Sequence, residues 1–267
     1  MDINTLCNLI QLQPEIIQKV NEFLNEFDIS TIQKELNGFL KEETAYNTYE
    51  ILNKRFIKCK DNTPILSCYL LACLNVYDSY QKQKIDTAIF IDTMKCFTRF
   101  INECKEKTGT YDFDRAWWTH KQVSQVIYRI GELEYEFLEK EKIINIHIPS
   151  DAKMSKENLE KSIKSLKSFI ERHKPEYKGK KIICDTWLLS PKLKKILNKD
   201  SKIINFQNLF NIIRVDEKND GCFEWVFKVK YHTEFDKLPE KTSLQKNIKE
   251  LMLRGEHLGS AYGELKQ

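Results

Sequence analysis

Apolar positions in the first 122 residues recur at helical spacing. Ile16, Ile17, Val20, Phe23, Leu24 and Phe27 step along one face. Asp28–Ser30 breaks that run. Ile32, Leu36, Phe39 and Leu40 begin a second, and Tyr46, Tyr49, Ile51, Leu52 and Phe56 a third. Thr63-Pro64 reads as an N-cap followed by proline at the first helical position, where a missing N–H costs nothing. The helix it opens, to about Gln81, is apolar nearly all round and belongs at the centre of a bundle. Ile85, Ala88, Ile89, Phe97 and Ile101 predict one long partner helix ending near Thr108-Gly109.

The period then changes. From Ser124 to Phe137 polar and apolar residues alternate, with Glu132, Glu134 and Glu136 on one side and Leu133, Tyr135 and Phe137 on the other. Ile143–Ile148 is a second strand, linked through Leu138–Lys142 as an antiparallel hairpin; by composition a helix also fits 132–142. After Pro149 strands and helices mix. Ser155-Lys-Glu-Asn158 opens a helix to about Arg172, with Leu159, Ile163, Leu166, Phe169 and Ile170 inward. Lys181–Trp187 reads as a strand, and Ser190-Pro191 starts a short helix to about Leu197. Ile203–Val215 is strand-like with room for a helical turn, and Cys222–Val229 alternates as a strand. Thr242-Ser-Leu-Gln245 is a capping box, its helix carrying Leu244, Ile248 and Leu251 inward and stopping at Gly255. His257–Leu265 suits a last strand. The expected fold class is α+β: an all-α bundle over residues 1–122, then a mixed α/β domain over 123–267.

Composition narrows the function classes. The 267 residues are 41% hydrophobic and 31% charged, enough for a real core. Eight glycines and six prolines are few for this length, which disfavours a turn-rich all-β protein. The net charge of +4 gives no sign of a nucleic-acid partner. It is uneven, however: residues 1–123 hold 15 Lys and Arg against 17 Asp and Glu, and residues 124–267 hold 28 against 22. The second half is the better host for an anionic ligand, although Lys161, Lys164, Lys167 and Lys192–Lys195 also read as solvated helix faces. Eight cysteines, several in apolar runs and none as Cys-x-x-Cys, read as buried thiols with no metal site. The first dozen residues lack a signal-peptide pattern, and the most apolar stretch, Pro64–Tyr77, is too short to span a membrane. A soluble cytoplasmic protein is expected, its oligomeric state open.

Arg129-Ile-Gly-Glu-Leu-Glu-Tyr135, Ile146-His-Ile-Pro-Ser-Asp-Ala152 and Asp185-Thr-Trp-Leu-Leu189 together resemble a family of bacterial acyltransferase-like proteins. The likeness continues through Ser201-Lys-Ile-Ile-Asn-Phe206, Glu224-Trp-Val-Phe227, Leu238-Pro, Thr242-Ser-Leu-Gln245 and Gly255-Glu-His-Leu-Gly259. It covers residues 124–267, and the helical half only through its general character and Trp117-Trp118. The resemblance implies a helical N-terminal domain, a GNAT-like C-terminal domain, an acyl-CoA co-substrate or an acyl-carrier donor, and a small-molecule amine acceptor. GNAT enzymes carry an Arg/Gln-x-x-Gly-x-Gly/Ala loop whose amides hold the CoA pyrophosphate. This chain has no such motif.

His147–Ser155 stands in that loop's place, where a strand feeds a helix. Ser150, Lys153 and Ser155 offer hydroxyl, ammonium and cap contacts to a phosphate, or a plain capping turn. Amine acylation needs a proton acceptor and donors facing the developing oxyanion. His147 is the natural base, or else a histidine bonded within the sheet. Glu132 and Glu134 serve as bases if they turn inward and face solvent if they do not. Tyr231 and Tyr262 are acid candidates. Arg129 suits a carboxylate or phosphate as a bidentate fork, or a structural ion pair. Trp117 and Trp118 line a substrate cleft or fill core, and Trp187 and Trp225 read as core. A cysteine nucleophile is conceivable only at Cys184. A non-catalytic module of the same fold, binding a small molecule or a protein, is the rival reading.

Overall fold

The computed structural model describes residues 1–229 and 234–266. Residues 1–130 with 134–136 form one compact unit, and residues 131–133 with 137 onward form a second. No helix of the described residues is long and apolar enough to cross a membrane.

The first unit carries α1 (Ile3–Leu9), α2 (Pro14–Glu26), α3 (Gln33–Gly38), α4 (Glu42–Phe56), α5 (Thr63–Lys82), α6 (Thr87–Met94), α7 (Cys96–Thr108) and α8 (Ala116–Val123). Helix α5 is its centre, as the all-round apolar pattern requires: Ile65 to Leu70 are all buried. Tyr69 is fully buried there, its ring 4.2 Å from that of Phe39 and its hydroxyl donating to the Ala116 carbonyl at 2.7 Å. A buried side chain of that size contributes roughly 1.5–3 kcal/mol only because its polar tip is satisfied.

Two helix ends differ from expectation. Asn62, not Thr63, is the N-cap of α5, and the Thr63 amide donates to Asp61 Oδ1 at 3.0 Å. Thr63 is thereby the first helical residue, its own amide served by the carboxylate two residues before it. The expected long partner helix is two helices, parted at Lys95. Just before the break, Thr93 turns its hydroxyl back on the Ile89 carbonyl at 2.6 Å, a bond that bends helices. Gly109, at φ +84°, closes α7 as a left-handed cap, where the helix was expected to end.

The strands are β1 (Ile127–Ile130), β2 (Leu133–Leu138) and β3 (Ile143–His147), then β4 (Ile182–Thr186), β5 (Phe210–Asp216) and β6 (Ser260–Leu265). They form one six-stranded mixed sheet in the order β1-β2-β3-β4-β6-β5. The alternating run expected as a single strand over 126–137 is thus two strands. Gly131 at φ +67° begins a two-residue turn there, a conformation only glycine takes cheaply.

Between the later strands lie α9 (Lys156–His173), α10 (Leu193–Ile196), α11 (Lys202–Gln207), α12 (Cys222–Phe227) and α13 (Ser243–Leu253). The 203–215 run resolves into helix α11 and strand β5. The alternation at 222–229 misled: the segment is helical, because Cys222, Phe223, Val226 and Phe227 share one helical face. They join Leu193, Ile248, Met252 and Leu258 in a core cluster. Trp225, on the opposite face, is 51% exposed rather than core, and Trp187 is half-buried in a 3-10 turn. The capping box at Thr242 and Gln245 forms as expected.

Candidate functional site

Strands β3 and β4 run parallel and are in register at Ile144 with Ile182 and at Asn145 with Ile183. The ladder ends there. The next β3 carbonyl, that of Ile146, accepts from the Cys184 thiol at 3.2 Å, while β4 continues in antiparallel register with β6 through Thr186 and Ala261. The β3–β4 register thus stops short of the C-terminal strand ends, the edge at which open α/β sheets bind ligands. Burial pushes the Cys184 thiol far up and keeps it protonated, which removes it as a nucleophile.

His147 closes β3 in a half-buried position, and Asn145 Nδ2 lies 3.3 Å from its Nε2. The two residues are one strand period apart and share a face, so the amide can orient the imidazole. The chain then turns through Pro149, whose carbonyl accepts from the Ala152 amide at 3.0 Å, and enters α9. Ser155 is the N-cap, accepting from the Asn158 amide at 3.3 Å.

Glu132 organises this turn. Its Oε2 accepts the Lys153 amide at 2.7 Å, and its Oε1 lies 3.5 Å from Asn158 Nδ2, which also donates to the Lys153 carbonyl at 3.1 Å. Glu132, Lys153, Ser155 and Asn158 are thus one cluster at the start of an 18-residue helix. Ser150 lies on the exposed part of the same turn, and the Lys153 side chain is exposed.

Glu134, Arg129, Trp117 and Trp118 belong to the first unit. Glu134 is 3% exposed, and its Oε1 accepts from Arg99 Nη2 at 2.6 Å. Arg129 is 8% exposed, its amide donating to Thr93 Oγ1 at 2.9 Å. Trp117, 52% exposed, and Trp118 meet edge to face on α8, with the Lys121 ammonium 4.1 Å above the Trp118 ring. Beside them His120 sets Nδ1 2.9 Å from the Trp117 carbonyl, and its ring contacts Tyr46. Burial drives the pKa of His120 below the usual imidazole value. In the second unit Tyr262 lines an open cleft of about 550 Å³ with Asp185 and Arg214. Tyr231 lies outside the described residues. Among the described residues no group of three or more His, Cys, Asp or Glu side chains could hold a metal ion.

Asn145, Asn158 and His120 were missed by sequence reasoning. For Asn145 the signal was its two-residue spacing from His147. For Asn158 it was the third helical position after a serine cap.

Comparison with known proteins adds to this geometry. Residues 1–125 match the N-acyltransferase N-terminal domain, and residues 116–265 match the GNAT-like C-terminal domain. No curated protein sequence matches the chain. Among solved structures, an acyltransferase in complex with decanoyl-CoA and teicoplanin is similar at a TM-score of 0.72 and 16% identity, over 100% of this chain and 99% of that one. A mutant acyltransferase in complex with octanoyl-CoA is similar at 0.77 and 15%, over 98% of this chain and 87% of that one. At such identities the likeness is one of fold. The match over residues 116–265 covers more than half of the sequence, and the chain belongs to the family of the GNAT-like C-terminal domain.

Proposed function

We propose that the chain is an acyl-CoA-dependent N-acyltransferase acting on a small-molecule amine. The observation that carries this reading is the end of the β3–β4 register at Asn145 and Ile183, beside the 147–155 turn. Strand ends beyond the last ladder pair can offer backbone groups to an extended amide-bearing chain, such as the pantetheine arm of an acyl-CoA. The fold-level likeness to acyltransferases solved with decanoyl-CoA and octanoyl-CoA supports the same donor class. The teicoplanin in one of those structures supports a small-molecule acceptor.

In this reading His147, oriented by Asn145, takes the proton as the acceptor nitrogen attacks the thioester carbonyl. The C–N bond forms, the C–S bond breaks, and the CoA thiolate leaves. Ser150, Lys153 and Ser155 face the anionic end of the donor. Glu134 is not retained as a base, because its carboxylate already serves Arg99.

Titration calorimetry with acetyl-, octanoyl- and decanoyl-CoA tests donor binding, and thiol release across an amine panel tests turnover. His147→Ala should lower kcat by about 10²-fold or more. Absence of both heat and thermal shift at millimolar acyl-CoA overturns the proposal. One observation favours the rival, a non-catalytic binding module: the turn lacks the glycine loop, and its Lys153 amide is held by Glu132. Donor binding without thiol release would select that rival.

A further inference from the structure

Strand β5 ends the sheet, and β6 is its only neighbour in the strand order. Phe210 is buried, but the six residues from Asn211 to Asp216 are all exposed, including Ile212, Ile213 at 61% and Val215 at 40%. A seven-residue edge strand with apolar side chains in water is an open template for another strand. Its ladder with β6 slips by one residue between Ile212 and Arg214, leaving Ile213 as a bulge, and is regular from Arg214 to Asp216.

We infer that this edge pairs with β5 of a second copy of the chain, antiparallel about a two-fold axis through Val215. A closed pair of identical chains needs a self-complementary surface. With the axis normal to the sheet, opposed side chains share a face, so the axis must pass through a residue. An axis at Ile213 falls on the bulge. An axis at Arg214 sets two guanidinium groups against each other, which destabilises a ladder. An axis at Val215 sets each Arg214 opposite the other copy's Asp216, and Val215 opposite itself.

Both charged groups are available for this. Arg214 is 75% exposed and only loosely engaged, 3.8 Å from Asp185 and 5.9 Å above the Tyr262 ring. Asp216 spends Oδ1 on the Lys218 amide at 3.1 Å, which leaves Oδ2 for a guanidinium. The pairing does not depend on the catalytic reading.

Sedimentation velocity and light scattering on the full chain from 1 to about 200 μM test it. The wild type should reach twice the chain mass. Arg214→Asp and Asp216→Arg should each weaken association tenfold or more, by setting like charges opposite. The double variant, Arg214→Asp with Asp216→Arg, should restore it. Circular dichroism should show all three variants folded. A wild type that stays monomeric throughout overturns the inference, and so does a dimer that neither single reversal weakens.

Discussion

Glu132 and Glu134 stand two residues apart, read alike in the sequence, and are held by different means. Glu134 is buried in the first unit against Arg99, which itself lies 3.9 Å from Glu103 and packs its guanidinium 4.9 Å above the Phe100 ring. Glu132 is half-buried in the second unit and serves the Lys153 amide at the start of α9. A third glutamate, Glu136, pairs with Lys121 at 2.6 Å. An identical residue type at regular spacing thus has three jobs: a desolvated ion pair, a brace for a turn, and a partly exposed ion pair. The two buried carboxylates, Glu134 and Glu136, need a full opposite charge, because a carboxylate taken from water without one would not stay ionised; half-buried Glu132 does not.

The largest effect expected from this contrast is at Glu134. Glu134→Ala leaves the Arg99 charge buried and should cost about 3 kcal/mol, the low end for a broken buried pair because Glu103 remains nearby. Replacing both partners, Glu134→Leu with Arg99→Met, should recover most of that loss. Urea denaturation of the three chains measures it; a single-variant loss below about 1 kcal/mol would mean that the pair is not desolvated.

Glu132→Ala should cost less, about 1 kcal/mol, since water can reach the amide it releases. Glu132→Gln keeps an acceptor for the Lys153 amide and removes a negative charge from the helix N-terminus. If the donor's anionic end lies at this turn, that variant should bind acyl-CoA several-fold more tightly by calorimetry, with stability near wild type. Weaker binding by Glu132→Gln would separate the turn from the donor site.

The contrast also explains what was legible. Apolar period alone located α2, α4 and α5, and local chemistry located the Ser155 cap, the Thr242 box and the Gly109 stop. Each of those signals is contained within a few residues. Alternation at 132–137 correctly implied a strand but not the environment of its polar face. Both faces of β2 are covered, so Glu134 and Glu136 are buried where an open sheet would leave them in water. Their partners Arg99 and Lys121 lie 35 and 15 residues away, a separation no local pattern encodes. At 222–227 the same two-residue alternation was an accident of composition, and tertiary burial of Phe223 and Phe227 selected a helix. At the candidate site, His147 and Ser155 were legible from the strand-to-helix turn. The role of Glu132 was not, because it depends on the side chain crossing from the Gly131 turn to Lys153.

The smallest effect lies around Glu136 and is a matter of sign. His120 is depressed first by burial, then by Lys121, while Glu136 and the bond to the Trp117 carbonyl act in the opposite direction. Tyr46 also faces the ring. The unfolded chain therefore binds a proton at His120 more readily than the folded one. Stability from this group is fully present above the ordinary imidazole pKa of about 6.5 and falls as pH drops through that value toward the lower folded pKa. His120→Asn should flatten the acid side of a melting-temperature profile between about pH 6.5 and 5. Glu136→Gln removes the carboxylate that favours imidazolium, so the His120 pKa read by NMR should fall further. A rise would mean that Lys121, freed from its partner, moves away from the imidazole by more than the lost carboxylate is worth, and that the pair does not act as a unit on His120.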